Sequence, residues 1–260
     1  LAEQAKILVA DAKERNLGGK AMHERWLRWE RCSLCEQEYH GVVRCALGWA
    51  CWKTYLGRSE TDWARSSAMT ELGNGLGLTR RHEDALAVQK AELAMDRRIG
   101  ASEENILATQ SNLANTYQNL GRLEEALRLK RDVYSGYLKL HGEEHERTFA
   151  VANNYALSLN GLQRFKETKS LLRKTIPVAR RVLGDSCDAT LKMSWYYAGA
   201  LYDDPAATLD NLREAVSTIE ETQQVARRVL GGEHPTTVMV GLSLREARAA
   251  LRARDTPGSA

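Results

Sequence analysis

The heptapeptide Val178-Ala179-Arg180-Arg181-Val182-Leu183-Gly184 recurs letter for letter as Val225-Ala226-Arg227-Arg228-Val229-Leu230-Gly231. Chance duplication of seven residues in a chain of 260 is negligible, so the two stretches mark equivalent places in a repeat. Related junctions stand upstream at Tyr55-Leu56-Gly57, Arg98-Ile99-Gly100 and Leu140-His141-Gly142. The glycines at 57, 100, 142, 184 and 231 are 43, 42, 42 and 47 residues apart. A second landmark keeps the same beat, a large residue followed by a small one: Leu72-Gly73, Leu113-Ala114, Tyr155-Ala156 and Tyr197-Ala198. Twelve residues past each small residue comes a third: Ala85, Ala126 and Thr168. In the fourth unit its equivalent is Ala215, five residues late, because an insertion around Asp203-Asp204-Pro205 lengthens that unit and the last interval.

Each unit reads as two antiparallel helices. Leu107, Leu113, Ala114, Tyr117 and Leu120 form one apolar stripe, Gly121-Arg122 breaks it, and Leu123, Ala126, Leu127, Leu129, Val133 and Tyr137 form another. Gly142 closes the unit, where a helix C-terminus accepts a left-handed residue. The small residues at 73, 114, 156 and 198 allow the two helices of a hairpin to cross closely. One hairpin cannot bury its own apolar face, so neighbours must stack. The expected fold is all-α, a right-handed α-solenoid of helical hairpins with a period of about 42 residues.

Composition agrees. The chain is 43% apolar and 27% charged, enough for a core and too evenly mixed for disorder. Lys plus Arg is 37 against 34 for Asp plus Glu, a surplus too weak for a nucleic-acid protein. No apolar run of about 18 residues is present, so no membrane partner is expected. Five cysteines, an odd number with no secretory signal before them, suggest a reduced, cytoplasmic setting. The chain begins with Leu1 rather than Met, as expected of a fragment.

The pattern Asn112-Leu113-Ala114, Tyr117, Gly121-Arg122-Leu123-Glu124-Glu125-Ala126 resembles the tetratricopeptide repeat. The long period, with Gly142-Glu143-Glu144-His145 and Gly231-Gly232-Glu233-His234-Pro235-Thr236-Thr237 at junctions, is similar to the kinesin light chain variety. The likeness covers residues 58–254, repeats and closing helix. Gly73 and Leu76 soften the first unit, Thr168 replaces Ala, and the fourth unit carries the insertion.

Ahead of the repeats, Leu1 to Asn16 reads as a helix ended by Gly18-Gly19. Trp26 and Trp29 follow, then Cys32-Ser33-Leu34-Cys35-Glu36-Gln37-Glu38-Tyr39. Two thiolates three apart on a turn can share a Zn²⁺, but zinc takes four ligands, so Cys32 and Cys35 are half a set. This segment, 1–40, resembles the closing half of a RING-CH (RING-variant) zinc domain, truncated. The resemblance implies that Cys32 and Cys35 bind zinc only in the complete domain, with the other ligands upstream. Residues alone leave alternatives open: a free thiol pair, a redox pair without its usual strand-helix context, or ligation completed by His23, His40 or Cys45. Cys45, Cys51 and Cys187 lie in helical stretches and read as core. Residues 41–57 form a leading capping helix, with Val42, Val43, Ala46, Trp49, Trp52 and Tyr55 as its packing stripe. His234 to Arg254 makes a closing helix with Val238, Leu242, Leu244, Ala247 and Leu251, and 255–260 is a disordered tail.

In such repeats the first helix of each hairpin lines the concave surface. Candidate peptide-binding residues are Asn74, Ser111, Asn112, Asn115, Asn119, Asn153, Asn154, Trp195 and Tyr196. Asn carries a donor and an acceptor and can pair with any peptide backbone, and the two aromatics offer anchors. The competing reading is that the asparagines satisfy backbone groups between repeats. The paired arginines Arg97-Arg98, Arg180-Arg181 and Arg227-Arg228 read as complements to helix C-termini, and His145 and His234 as junction caps. No phosphate loop, His-Glu-x-x-His or nucleophile elbow is present, and Leu72 to Gly77 lies inside a helical repeat. Carboxylates such as Glu124-Glu125 and Asp203-Asp204 read as solvent-facing or loop groups. The expectation is a non-catalytic scaffold, without cofactor, that binds a peptide or partner domain. The alternatives are the substrate-recognition part of a RING-CH-type ubiquitin ligase, which would recruit a ubiquitin-conjugating enzyme and hold zinc in the full-length protein, and a kinesin light chain-like cargo adaptor.

Overall fold

The computed structural model describes residues 1–255. The expected tail lies outside the described residues from 256 on, while Asp255 ends the last helix. Helices run in the order α1 (Ala2–Glu14), α2 (Gly19–Trp26), a 3-10 turn (Leu27–Trp29), α3 (Gly41–Tyr55), α4 (Trp63–Leu78), α5 (His82–Arg98), α6 (Glu103–Asn119), α7 (Leu123–His141), α8 (Glu146–Gly161), α9 (Phe165–Leu183), α10 (Asp188–Tyr202), α11 (Leu209–Leu230) and α12 (Pro235–Asp255). The fold is all-α, as the periodicity implies, with the four hairpins α4/α5 to α10/α11 at the expected places. The chain divides into two compact units, Leu1–Leu129 and Lys130 onward.

Local chemistry explains the boundaries. The junction glycines Gly100, Gly142, Gly184 and Gly231 have φ of +65°, +84°, +83° and +87°, a region closed to most side chains. Within hairpins Gly121 has φ +72°, while Arg80 and Gln163 bear the same left-handed backbone without being glycine. His145 and His234 cap α8 and α12, each Nδ1 accepting the backbone N–H two residues on. The first helix ends differently from the sequence expectation. Asn16, at φ +51°, takes the left-handed position and closes α1, and Gly19 opens α2.

In the first unit, α1 and the Trp26–Trp29 turn pack with α3 and α4 around Ala5, Val9, Trp26, Trp29, Leu47, Cys51, Tyr55, Ala64 and Ala68. Trp26 lies edge-on to Trp63 and 5.3 Å from the Tyr55 ring. The α3–α4 seam is the tightest crossing. A Cβ on Gly48 would sit 2.7 Å from the Glu71 carbonyl, and one on Gly75 would sit 2.9 Å from both the Arg44 carbonyl and the Cys45 Cα. That seam turns α3 away from its expected packing stripe. Val42 is 77% exposed and Val43, Ala46 and Trp49 also face solvent, while Arg44, Cys45, Leu47, Gly48, Cys51 and Tyr55 are buried. Burial pushes the Cys51 thiol far up, consistent with a core role.

In the second unit the core runs through Phe149, Ala152, Leu172, Met193, Leu201, Ile219, Val240 and Leu244. The small residues Ala156 and Ala198 are fully buried at the hairpin crossings. First helices pack on first helices, α8 on α10 and α10 on α12, with no comparable packing of α9 on α11 among the described residues. Inner helices that touch while outer ones splay make the first-helix side of this unit the hollow side. The insertion is held, not loose: Lys169 Nζ lies 2.8 Å from Asp204 Oδ2 in a half-buried pair, and Arg254 donates to the Pro205 and Ala207 carbonyls. Asp204 is therefore anchored rather than solvent-facing. In α12, Val238 and Leu242 are exposed, contrary to the expected closing stripe, and Thr236, Thr237, Val240, Ser243, Leu244 and Ala247 are buried.

Candidate peptide-binding face

Positions on the first helices can be counted from the junction glycine that precedes each. On α6 the residues five, eight, twelve, fifteen and nineteen past Gly100 are Asn105, Ala108, Asn112, Asn115 and Asn119. They fall at alternating spacings of three and four, one face of a helix, and all are exposed except Asn112, which is half-buried. The equivalents on α8, Arg147, Ala150, Asn154, Leu157 and Gly161, are exposed throughout. Among the described residues the side chains of Asn112, Asn115, Asn119 and Asn154 make no hydrogen bond, so their amides stay available. Asn74 on α4 and Ser111 on α6 are half-buried.

The position eleven past the glycine behaves otherwise. Asn153 is 8% exposed, and its Nδ2 donates to the Ala189 carbonyl of α10 at 3.0 Å. Its counterpart Trp195 donates from Nε1 to Ser243 Oγ of α12 at 2.9 Å. Seven residues further along the same face, Asn160 donates to the Tyr196 carbonyl at 2.8 Å and the Tyr202 hydroxyl to Glu246 at 3.2 Å. These four side chains stitch each first helix to the next. Two of them, Asn160 and Tyr202, escape a reading that scores only polar residues near the small landmark; their signal is the seven-residue spacing from Asn153 and Trp195. Tyr196 is half-buried, 5.3 Å from the Trp195 ring, and packs with it against the second unit's core. Desolvation raises its hydroxyl above the usual tyrosine range.

The first hairpin presents no such face, because α3 covers α4 and the polar residues there turn inward. Glu71 forms an ion pair with Arg44, whose Nη1 also donates to the Trp29 carbonyl at 2.9 Å. Glu92, 1% exposed, accepts from the Thr70 hydroxyl through Oε1, and its Oε2 has no hydrogen-bond partner. Asp96 accepts from Ser66 at 3.2 Å and Thr109 at 3.0 Å. Of these three buried carboxylates only Glu71 meets a guanidinium, that of Arg44, while Glu92 and Asp96 are held by hydroxyl groups. Desolvation, opposed by Thr70 and reinforced by Asp96 and Glu71, raises Glu92 to about 8, and burial, opposed by Arg44, raises Glu71 to about 7.

At the cysteine pair the backbone forms a knuckle. An isolated antiparallel bridge joins Arg31 to Glu38, and Cys32 N–H donates to the Gln37 carbonyl at 2.9 Å. The Leu34 N–H points at Cys32 Sγ, 3.4 Å away. Backbone N–H groups of Cys35 and Leu34 draw the Cys32 thiol below its ordinary range. Among the described residues no group of three or more His, Cys, Asp or Glu could hold a metal, so neither His23, His40 nor Cys45 completes a site here.

Residues 105–181 match the tetratricopeptide repeat model. Among solved structures, the nearly identical TPR-like repeats of a Podosopora anserina putative kinesin light chain are similar at 22% identity, over 73% of this chain and 88% of that one, with TM-scores of 0.63 and 0.62 in two crystal structures. BtubC (BKLC) from P. vanneervenii is similar at 13% identity over 84% of this chain and 92% of that one, with a TM-score of 0.63. No curated protein matches the sequence. These likenesses place the chain's fold among tetratricopeptide-type helical repeats. No helix among the described residues is long and apolar enough to cross a membrane.

Proposed function

We propose that the chain is a non-catalytic interaction scaffold that holds a peptide or partner domain on the outer stripe of its first helices. Asn112, Asn115 and Asn119 of α6 are the groups that grip it, with Asn74 and Ser111 of the same unit at the margin, and Asn154 of α8 offers the equivalent contact on the second unit by itself. The observation that carries this reading is the division of labour among the asparagines. Asn153 and Asn160 are engaged by neighbouring backbone, while Asn154, one position round the helix from Asn153, is exposed, and on α6 Asn115 and Asn119 are exposed in file with the half-buried Asn112. Trp195 and Tyr196 then set the spacing of α10 and α12 rather than anchor a ligand, and α3 caps the first hairpin. The cytoplasm is the proposed setting. The test is selection of binders from a displayed random-peptide library on the intact chain. Selected peptides should bind Asn112→Ala/Asn115→Ala at least about tenfold more weakly, with melting unchanged; equal binding would refute the reading.

The knuckle supports a second reading, that residues 1–40 close a RING-CH-like zinc domain and the repeats select substrate for a ubiquitin ligase. Cys32 and Cys35 fit half a zinc site: both stand on one turn, and its N–H groups favour the Cys32 thiolate. Zinc held by them and by ligands outside the described residues would be structural, cross-linking the segment. On this reading the 260-residue chain alone retains far less than one zinc per molecule after dialysis; stoichiometric, chelator-sensitive zinc would contradict it. A kinesin light chain-like cargo adaptor remains the third proposal, supported by the fold likeness alone.

A further inference from the structure

The described residues hold a cleft of about 780 Å³ between α11 and α12, lined by none of the stripe's asparagines. Counting from the junction glycine shows why it is there. Fourteen and seventeen residues past Gly142 stand Ala156 and Leu159; past Gly184 stand Ala198 and Leu201. All four are fully buried, and Ala156, Ala198 and Leu201 share a core with second-helix residues such as Leu172 of α9 and Ile219 of α11. The same positions past Gly231 carry Arg245 and Arg248, both exposed. The face of α12 on which another second helix would pack is therefore cationic and cannot be covered by an apolar helix without burying two guanidinium groups.

The cleft's lining follows that sign. Arg227 of α11 joins Arg245 and Arg248 on its walls, with the amides of Gln223 and Gln224. Its one acid, Glu220, is already paired to Arg248 at 2.6 Å. Arg227 and Arg245 make no ion pair among the described residues. The Thr237 hydroxyl lines the same cleft, 2% exposed and without a hydrogen-bond partner. Gly241 leaves room for the Gln223 amide: a Cβ there would stand 2.6 Å from Gln223 Nε2. Donors and positive charge converge here, and the cleft's single carboxylate, already paired to Arg248, leaves Arg227 and Arg245 without an anion among the described residues.

We propose that this cleft is a second docking site, distinct from the first-helix stripe, that takes an acidic, carboxylate-rich segment of a partner protein. Arg227 and Arg245 pair with its carboxylates, and Gln223, Gln224 and Thr237 supply neutral donors. Charge complementarity fixes the occupant: a basic or apolar segment would leave these guanidinium groups uncompensated.

The test uses the full chain and two labelled hexapeptides, all-Glu and all-Gln, read by fluorescence anisotropy. The all-Glu peptide should bind saturably and weaken steeply between about 50 and about 300 mM salt, and the all-Gln peptide should not bind. Arg227→Gln/Arg245→Gln should reduce all-Glu binding about tenfold or more. Asn112→Ala/Asn115→Ala should leave it unchanged, which separates this site from the proposed stripe. Equal binding of the two peptides, full binding by the arginine variant, or displacement by about 1 mM inorganic phosphate, which would reassign the cleft to a small oxyanion, would each overturn the proposal. Melting curves of the arginine variant should overlay the wild type, since both side chains are exposed.

Discussion

Adding one methyl group at three glycines of the first unit should produce opposite effects. In a helix interior, Gly to Ala gains about 1 kcal/mol from backbone propensity alone. At Gly48 and Gly75 that gain meets a steric wall. The added carbon would lie 2.7 Å from the Glu71 carbonyl in one case and 2.9 Å from the Arg44 carbonyl in the other. Both obstacles are backbone, so no rotamer change relieves them and α3 must move off α4. Overpacking of this kind costs about 1–3 kcal/mol, and separating the helices also weakens dispersion contacts along the seam. The wall wins: Gly48→Ala and Gly75→Ala should each destabilise by about 2 kcal/mol, lowering Tm by roughly 4–8 °C. Gly77 sits two residues further along α4 with nothing within 4 Å of its would-be Cβ. Gly77→Ala should therefore hold or raise Tm, by at most about 4 °C. Circular dichroism melts give the global value, and fluorescence of Trp26 and Trp29, packed beside α3, reports this unit. Shifts of the same sign at Gly75 and Gly77 would refute the backbone-to-backbone seam.

Other consequences follow from the buried charges and the insertion. Glu92 keeps its proton to about pH 8 in the fold against an ordinary 4.5, so the native state binds more protons than the unfolded state between those values. Its contribution to stability is full below about pH 4.5 and is lost as pH rises to about 8. Glu92→Gln, permanently neutral, should gain on wild type steadily across that range; a pH-independent difference would contradict the burial argument. Asp204→Ala should cost about 2 kcal/mol in urea unfolding by leaving the half-buried Lys169 without its partner, whereas Asp203→Ala should do little; equal effects would mean the insertion is not anchored as described. Trp195→Ala should cost about 3 kcal/mol, since the ring packs on the second unit's core; normal stability with impaired peptide capture would return Trp195 to the binding face.

The hairpins were legible because their markers answer to backbone rules. A left-handed turn at Gly142 and a close crossing at Ala156 each admit few residues, so the letters betray the geometry. The inner face was harder. Asn153 and Asn154 are the same letter and differ by about 100° around a helix, which separates a residue engaged by α10 from one facing water. The packing side of α3 was misread because the apolar stripe through Val42, Val43 and Trp49 outscored a seam made by Gly48, whose signal is the absence of a side chain. No local pattern sets Glu71, Glu92 and Asp96 apart from surface acids, because only tertiary covering by α3 and α6 makes them core. Arg245 at a small-residue position was visible in register all along, since it falls fourteen residues past Gly231.

The central claim is that adjacent asparagines divide between holding the helices together and holding a partner. Two variants measured side by side test it: Asn112→Ala/Asn115→Ala/Asn119→Ala and Asn153→Ala/Asn160→Ala. The first should keep Tm within about 2 °C of wild type and lose library-selected peptide binding. The second should lower Tm by roughly 4–8 °C, from about 1 kcal/mol per lost hydrogen bond, and keep binding at temperatures where it is folded. The reverse assignment, binding lost with Asn153 and Asn160 while the α6 triple variant still captures peptide, would contradict it.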